Sequence, residues 1–527
     1  MGERGIVPRK VKGFRDIDPV TSRLRRRLIE AATEVYRRYG FEHWDTPVLE
    51  YADALGKYLP DTDTADEGVY SFRNPEMEPV LDGRGQEVRD DANNVVMTHH
   101  VLAMRYDLTA PLARRYAEEL WARDDIRSQQ PSSPKPPLFR RYQYGPVFRF
   151  EAKLDPGRYR EFQQLDFDTV GSTDVAVDAE ACCVLSDALE ATGLGRGTYE
   201  VRVNDRKLHK GLFERVGIAD ETKARDVLRV IDKYDKIGPS GVAAELQGGR
   251  IDPGSGAEVP GLGLPSGAAS LVIDYVESCL GVEGRENVLA RLESRLADTP
   301  SGREGLDEMR RIHALLAGLG YGDDRVVFDP SVARGLAYYT GPVFEAVSKL
   351  EVREPSGAVR RFGAICGGGR YDGLVERLLG LRVPATGASI GVDRLAELIA
   401  RTSAAEAEAR GPVLVVVMDP SRMADYQRIA AELRAAGIAT EVWYGPQPKM
   451  KAQMTYADRK RCPVVVIAGG DEFAKDTVSI KDLLRGKELA GEIADRAEWL
   501  RRQPSQVEVA RAAMVETVRS ILAGGNA

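Results

Sequence analysis

Arg149, Glu151, Arg158, Phe162, Gln164, Asp166 and Asp168 fall within one stretch, Tyr144 to Asp168, reading YGPVFRFEAKLDPGRYREFQQLDFD. Arginines meet anions, carboxylates and amides meet donors or cations, and an aromatic ring stacks on a flat partner. Such a set can bind a polar ligand. A solvated hairpin face looks polar for the same reason, so residue types and spacing leave both readings open. The stretch reads as a strand, a charged turn and a returning strand. A period of two puts Arg149 and Glu151 on one face and Phe148 and Phe150 on the other. On the return, Phe162, Gln164, Asp166 and Asp168 share a face, and Leu165 and Phe167 the opposite one. Asp155, Pro156 and Gly157 mark the turn.

Four further stretches carry residues of this kind. MRYDLTAPLARRYAEEL (104–120) passes from a polar strand end into an amphipathic helix, with Pro111 in its first turn and Thr109 able to cap it. Asp107 and Thr109 at that entrance suit capping, and they also suit an ammonium group. FDPSVARGLAYYTGPVFEAV (328–347) sets Arg334 and the pair Tyr338–Tyr339 among strand residues, where aromatics are ordinary packing. AICGGGRYDGLVERL (364–378) holds a glycine run that lets backbone approach a ligand, with Tyr371 beside it. No G-K-[ST] follows, so it is not a Walker loop. TGASIGVDRLAELI (386–399) is a Gly-punctuated strand entering a helix. Arg394 stands near the helix start against the dipole, a local violation of the kind that accompanies function.

At 527 residues the chain exceeds a single core, and two to four domains are expected. With 43% hydrophobic and 29% charged residues it reads as a soluble globular protein. There is no apolar run long enough to span a membrane. MGERGIVPRKVKGFRD has no apolar h-region, and Ile6 spoils a myristoylation pattern, so cytoplasmic residence is expected. Five cysteines without C-x-x-C spacing point to neither a disulfide framework nor a zinc site. The net charge of −7 excludes an all-over basic coat but leaves room for a local basic surface.

Along the chain, Asp18-Pro19 predicts a helix start, continued by Leu24, Leu28, Val35 and Tyr39 and stopped by Gly40. Its arginine-rich face (Arg23, Arg25, Arg26, Arg27, Arg37, Arg38) is expected in solvent. GFEHWDTPVLEYADAL carries Pro47 between apolar runs, as in an edge strand or interface segment. Residues 61–95 read as loop and ribbon, and 128–137 as a Pro/Ser-rich loop. From 207 to 325 the pattern is helical, interrupted by a Gly/Pro-rich stretch (238–267) expected to be a long loop. His209 and His313 there are isolated from other metal-ligand types. After TSAAEAEARG (402–411), LVVVM, ATEVWY and PVVVIAG alternate with helices in a βαβ pattern, followed by a late strand in DTVSIKDLLRGKE. Lys449, Lys451, Arg459, Lys460 and Arg461 suit an RNA phosphate surface or a solvated basic helix. Residues 506–527 read as a helix with Val507, Ala510, Met514, Val518 and Leu522 on one stripe.

These stretches resemble class II aminoacyl-tRNA synthetases, and among them the histidyl-tRNA synthetase branch. F-R-x-E followed by G-R-Y-R-E-F resembles motif 2, GFEHWDTPVLEYADAL motif 1, and residues 386–399 motif 3. R-x-D-x-T (105–109), R-G-L-x-Y-Y-T (334–340) and C-x-G-G-R-Y-D-G-L (366–374) resemble stretches peculiar to the histidyl branch. The resemblance implies an α+β fold, with an antiparallel-sheet catalytic core (1–206 and 326–401), a helical insertion (207–325) and a linker (402–411). An α/β anticodon-binding domain (412–505) and a C-terminal helix (506–527) complete it. It implies activation of histidine by ATP with Mg²⁺, giving histidyl-adenylate and pyrophosphate, then transfer to the 3′ end of histidine tRNA by a homodimer.

By the same resemblance, Arg149 and Arg334 are catalytic, meeting the α-phosphate and the histidine carboxylate. Asp107, Thr109 and Gln164 hold the ammonium, and Asp168, Tyr338, Tyr339 and Tyr371 line the imidazole pocket. Glu151 accepts from the adenine amino group, Phe162 stacks on adenine, and Arg158 and Arg394 take the γ-phosphate. Two departures stand out. Ala337 replaces the acid usual between Leu and Tyr. The turn FEAKLDPG, with Ala152 and Asp155, replaces a more basic H-E-R-x-x-x-G, so the extra 5′ guanosine of histidine tRNA is expected to be read differently. The alternative is a non-catalytic, synthetase-like regulatory subunit of a histidine-biosynthetic phosphoribosyltransferase. Such subunits typically lack the anticodon domain and the catalytic residues.

Overall fold

The computed structural model describes residues 7–55, 68–82, 85–122, 136–151, 154, 157–253, 256–333, 338–353, 359–402, 411–446, 449–485 and 505–524. Arg334, Ala337, Ala152 and Asp155 lie outside the described residues. The chain divides into two compact units, Met1–Ser403 and Ala404–Ala527.

In the first unit the period-two stretches become strands of one eight-stranded sheet. We number them in chain order: β1 (Glu42–His43), β2 (Phe139–Phe148), β3 (Glu161–Val170), β4 (Tyr199–Asp205), β5 (Val326–Phe328), β6 (Pro342–Ser348), β7 (Ala364–Arg370) and β8 (Ala385–Gly391). Their spatial order is β1-β2-β3-β8-β7-β6-β4-β5. Every interior pairing is antiparallel, and only the short edge strands β1 and β5 pair in parallel. The antiparallel core expected from the sequence is therefore present.

Helices α1 (Pro19–Arg38) and α2 (Ala176–Ala191) pack on each other and bury one face of this sheet. Tyr36 of α1 meets Phe167 of β3 with ring centroids 5.0 Å apart. The apolar side of β3 is thus spent on packing, and its polar side is left for other work. Asp18 caps α1 as expected, accepting from Val20 N at 2.9 Å and Thr21 N at 3.1 Å. One part of the expected solvated arginine face is corrected. Arg25 turns inward to Asp393 at 3.0 Å, because that buried carboxylate needs a cation.

A small sheet pairs Leu49–Tyr51 with Val101–Met104 and the latter with Ser71–Arg73. Between β4 and β5 run helices from Arg206–Val216 to Pro300–Gly318. The Gly/Pro-rich stretch is not one long loop, contrary to the sequence expectation. It holds the end of the helix Tyr234–Leu246 and an antiparallel hairpin of Gly249–Ile251 with Glu258–Pro260. Buried Glu245 fastens them, accepting from Lys233 at 2.7 Å and Arg250 at 2.9 Å.

The second unit is a five-stranded sheet with helices. Val413–Val415 lies between Thr440–Val442 and Val464–Ile467, parallel to both. Thr477–Asp482 and Gln506–Ala510 add antiparallel strands. The helix expected over 506–527 is therefore corrected, since it runs only over Met514–Leu522. Pairing with Thr477–Asp482 takes Gln506–Ala510 into the sheet. Among the described residues, no helix is long and apolar enough to cross a membrane.

Candidate active site

On β3, Phe162, Gln164, Asp166 and Asp168 all face one cavity of ≈310 Å³. The glycines of β7 and β8 keep its floor low. A Cβ on Gly368 would lie 2.6 Å from the Ala388 Cα, and one on Gly387 would collide with the Asp168 carboxylate. A side chain at either position would fill the space or push Asp168 aside. Of the thirteen residues given a role from the sequence, twelve line this cavity: Asp107, Thr109, Arg149, Glu151, Arg158, Phe162, Gln164, Asp168, Tyr338, Tyr339, Tyr371 and Arg394. The thirteenth, Arg334, lies outside the described residues.

One end of the cavity gathers cations and an aromatic ring. Arg149, just past β2, donates from Nε to the Tyr106 carbonyl at 3.0 Å. Its guanidinium sits 4.3 Å from the Tyr106 ring centroid and 5.3 Å from that of Phe162. Held on two rings and one carbonyl, it keeps a fixed direction, which favours a planar anion. Arg158 pairs with Glu151 at 3.2 Å. Gly157, at φ +77°, packs on Arg394, with its missing Cβ 3.3 Å from the Arg394 Cα. Gly157 is thereby set against the helix Val392–Thr402.

The other end is acidic and phenolic. Asp168 forms an ion pair with Arg141, Nη2 to Oδ2 at 2.9 Å, and accepts a hydrogen bond from the Tyr371 hydroxyl on Oδ1; Oδ2 itself has no hydrogen-bond partner among the described residues. Tyr338 donates to Tyr339 at 3.0 Å, and both rings lie within 6.4 Å of Tyr371 by centroid. Asp107 accepts from Thr109 N and Ala110 N at 3.0 Å each, so it caps the helix Thr109–Trp121. Thr109 is the first helical residue and not the cap. Burial raises the pKa of Asp107 and of Asp168. It pushes Asp166 up to about 7, against the lowering effect of Arg141 and with a further rise from Asp168 and Asp107. Gln164 Oε1 is buried with no hydrogen-bond partner among the described residues. An acidic cavity with an unused acceptor is ready for a cation that carries N–H donors.

Sequence reading gave no role to three participants. Arg141 looks like a surface residue in FRRYQY, yet it is 1% exposed. Asp166 shares the face of β3 but was given no role. Asp393 lines the cavity and accepts from Arg15, from Arg25 and from Gln163 N at 2.7 Å, which ties β3 to the helix that carries Arg394. Only the alternation on β3 offered a signal, and only for Asp166.

The state of Asp166 gives a testable consequence. A bound ammonium favours its ionised form and lowers its pKa, so ligand binding near pH 7 should release up to about half a proton. Titration calorimetry at pH 7 with the amino acid that the resemblance above implies, in buffers of different ionisation enthalpy, reads this directly. The apparent heats should differ between buffers for the native chain and converge for Asp166→Asn. Equal heats for the native chain would contradict the assignment.

Residues 75–395 match the family described as histidyl-tRNA synthetase, and residues 412–503 match that described as anticodon binding domain. A histidine–tRNA ligase of Ruegeria pomeroyi is 47% identical over 512 residues, covering 97% of this chain and 96% of the relative. One of Paracoccus denitrificans is 45% identical over 513 residues, covering 97% of each. Among solved structures, the histidyl-tRNA synthetase of a Nostoc species superposes with a TM-score of 0.66 at 26% identity, covering 98% of this chain and 99% of the other.

Proposed function

The chain belongs to the histidyl-tRNA synthetase family, and we propose from that premise how its own residues divide the work of joining histidine to tRNA. The activity is that of a histidine–tRNA ligase: histidine and ATP give histidyl-adenylate and pyrophosphate, and histidine then passes to tRNA. The observation that carries the reading is the assembly of one cavity with a cationic end and an acidic, phenolic end.

In the first step the histidine carboxylate attacks the α-phosphorus of ATP. Two anions approach, so fixed cations must offset their repulsion and the charge that develops. Arg149 is proposed to bridge the α-phosphate and the carboxylate, with Arg334 as its partner by family resemblance. Arg158 and Arg394 take the γ-phosphate, and Phe162 stacks on the adenine with Glu151 accepting its amino group. ATP enters as its Mg²⁺ complex, the ion riding on the phosphates. At the far end Asp107, Thr109 and Gln164 hold the ammonium. Asp168, framed by Tyr338, Tyr339 and Tyr371, reads the imidazole. A buried polar reader rejects apolar side chains of similar shape, because its own groups would be left unpaired.

The tRNA is proposed to meet the second unit on Lys449, Lys451, Arg459, Lys460 and Arg461, all of which are exposed at or beside the helix Met450–Arg459. Replacing Lys451, Arg459 and Arg461 by alanine should raise the KM for tRNA about tenfold and flatten its salt dependence. Histidine-dependent ATP–pyrophosphate exchange should stay unchanged. An unaltered KM for tRNA would overturn this placement.

The unusual turn after β2 is proposed to alter reading of the 5′ end of the tRNA. Charging of transcripts with and without the extra guanosine tests it, and a large loss without that base would count against it. Leu49, Tyr51 and Phe72, neighbours on one face of the small sheet, are 41%, 41% and 44% exposed, which supports burial against a second copy. A solution mass of one chain by light scattering would exclude the homodimer. The regulatory-subunit alternative is disfavoured, because the ligase relatives align over the whole chain, second unit included.

A further inference from the structure

Arg141 heads the fully buried side chains by size among the described residues, and neither the family resemblance nor the chemistry above gives it a task. A guanidinium in the interior costs several kcal/mol unless its partners are well placed. Here they are. β2 and β3 set Arg141 directly opposite Asp168 in register. Nη2 lies 2.9 Å from Asp168 Oδ2 and donates to the Leu108 carbonyl at 2.8 Å. Leu108 stands between Asp107 and Thr109, the two residues proposed to hold the ammonium.

We propose that Arg141 is a positioning residue of the amino-acid subsite, one that ties the imidazole reader Asp168 to the ammonium-holding turn Asp107–Thr109. The inference rests on the roles given above to Asp168 and Asp107. A carboxylate has about four lone-pair sites. Tyr371 takes one on Oδ1, while Arg141 holds Oδ2 by charge alone, which aims Asp168 and leaves Oδ2 as an acceptor for a ring N–H.

The charges facing Asp168 are Arg141 from β2, Asp166 on its own strand, Asp107 from the helix entrance and the neutral phenol of Tyr371 after β7. Arg141 is the cation of that set, and two of its neighbours are carboxylates. Without the guanidinium, burial and the neighbouring carboxylates would push the Asp168 carboxyl further up, toward the protonated form that is no longer a pure acceptor.

The test is steady-state ATP–pyrophosphate exchange with Arg141→Gln, Arg141→Lys, Asp168→Asn and the double variant Arg141→Met/Asp168→Asn, measured from pH 6 to 8.5. For Arg141→Gln the KM for histidine should rise about 30-fold at pH 7, as for loss of a buried charge-assisted bond. The KM for ATP should stay within about threefold, since the cationic end is untouched. The ratio of variant to native KM for histidine should shrink as pH rises, because Asp168 regains its charge.

Should Arg141→Gln fail to fold, Arg141→Lys still reports. It keeps a cation but not the rigid fork, so histidine KM should rise about fivefold with a flat pH ratio. The double variant also loses the donor to the Leu108 carbonyl, so it should fall below Asp168→Asn alone, but by less than the product of the two single losses. Equal rises in both KM values, a pH-independent ratio for Arg141→Gln, or a double variant whose loss equals the product of the single losses would overturn the proposal. If Asp168→Asn binds histidine like the native chain, the underlying reading of Asp168 falls instead. If Asp168→Asn is impaired while Arg141→Gln and Arg141→Lys are not, only the role of Arg141 falls.

Discussion

Arg149→Ala should lower kcat/KM for histidine-dependent ATP–pyrophosphate exchange by about 10³-fold, roughly 4 kcal/mol of transition-state stabilisation. The side chain is oriented before any substrate arrives, by the Tyr106 carbonyl at 3.0 Å and by two aromatic rings. Such a cation needs little reorganisation when negative charge builds on the phosphate, and the loss should appear in kcat as well as KM. Arg149→Lys should recover only part of it, because an ammonium cannot bridge two oxygens in the plane of a guanidinium. The fold should be indifferent, since Arg149 lies outside the packed core, and thermal melting checks that. A loss below about tenfold, from a variant that melts like the native chain, would show that Arg149 does not face the reacting phosphate.

The second large effect separates two roles of one residue. Asp107 caps a helix through Oδ1 and also lines the cavity. Asparagine caps almost as well as aspartate but carries no charge. Asp107→Asn should therefore leave stability within about 0.5 kcal/mol while raising the KM for histidine about 100-fold, as for a lost charged partner of an ammonium. Asp107→Ala should add about 1 kcal/mol of destabilisation from the lost cap. Chemical denaturation and exchange kinetics on the same preparations read both quantities. If Asp107→Asn keeps the native KM, capping is the whole role of this carboxylate.

What was legible in the sequence was local. The face of β3 follows from a period of two, and Asp18 and Gly40 bound α1 by cap chemistry acting within a few residues. What was not legible depends on register and on distant contacts. Nothing in FRRYQY says that Arg141 is buried, because that follows only from standing opposite Asp168 across a hairpin. Arg25 read as solvated because its partner, Asp393, lies 368 residues away. The tail was misread for a related reason. Val507, Ala510 and Met514 fit a helical stripe, but Val507 and Val509 also alternate, and pairing with Thr477–Asp482 decides for the strand. The 238–267 stretch looked like a loop by composition, and its order comes from one buried carboxylate between two cations.

The central claim is tested most directly by amino-acid-dependent ATP–pyrophosphate exchange, run on the whole chain with each of the twenty amino acids in turn. Exchange is expected with histidine alone, lowered about 10³-fold in Arg149→Ala and weakened through KM in Asp107→Asn. Exchange with a different amino acid, or none from a folded protein, would contradict it.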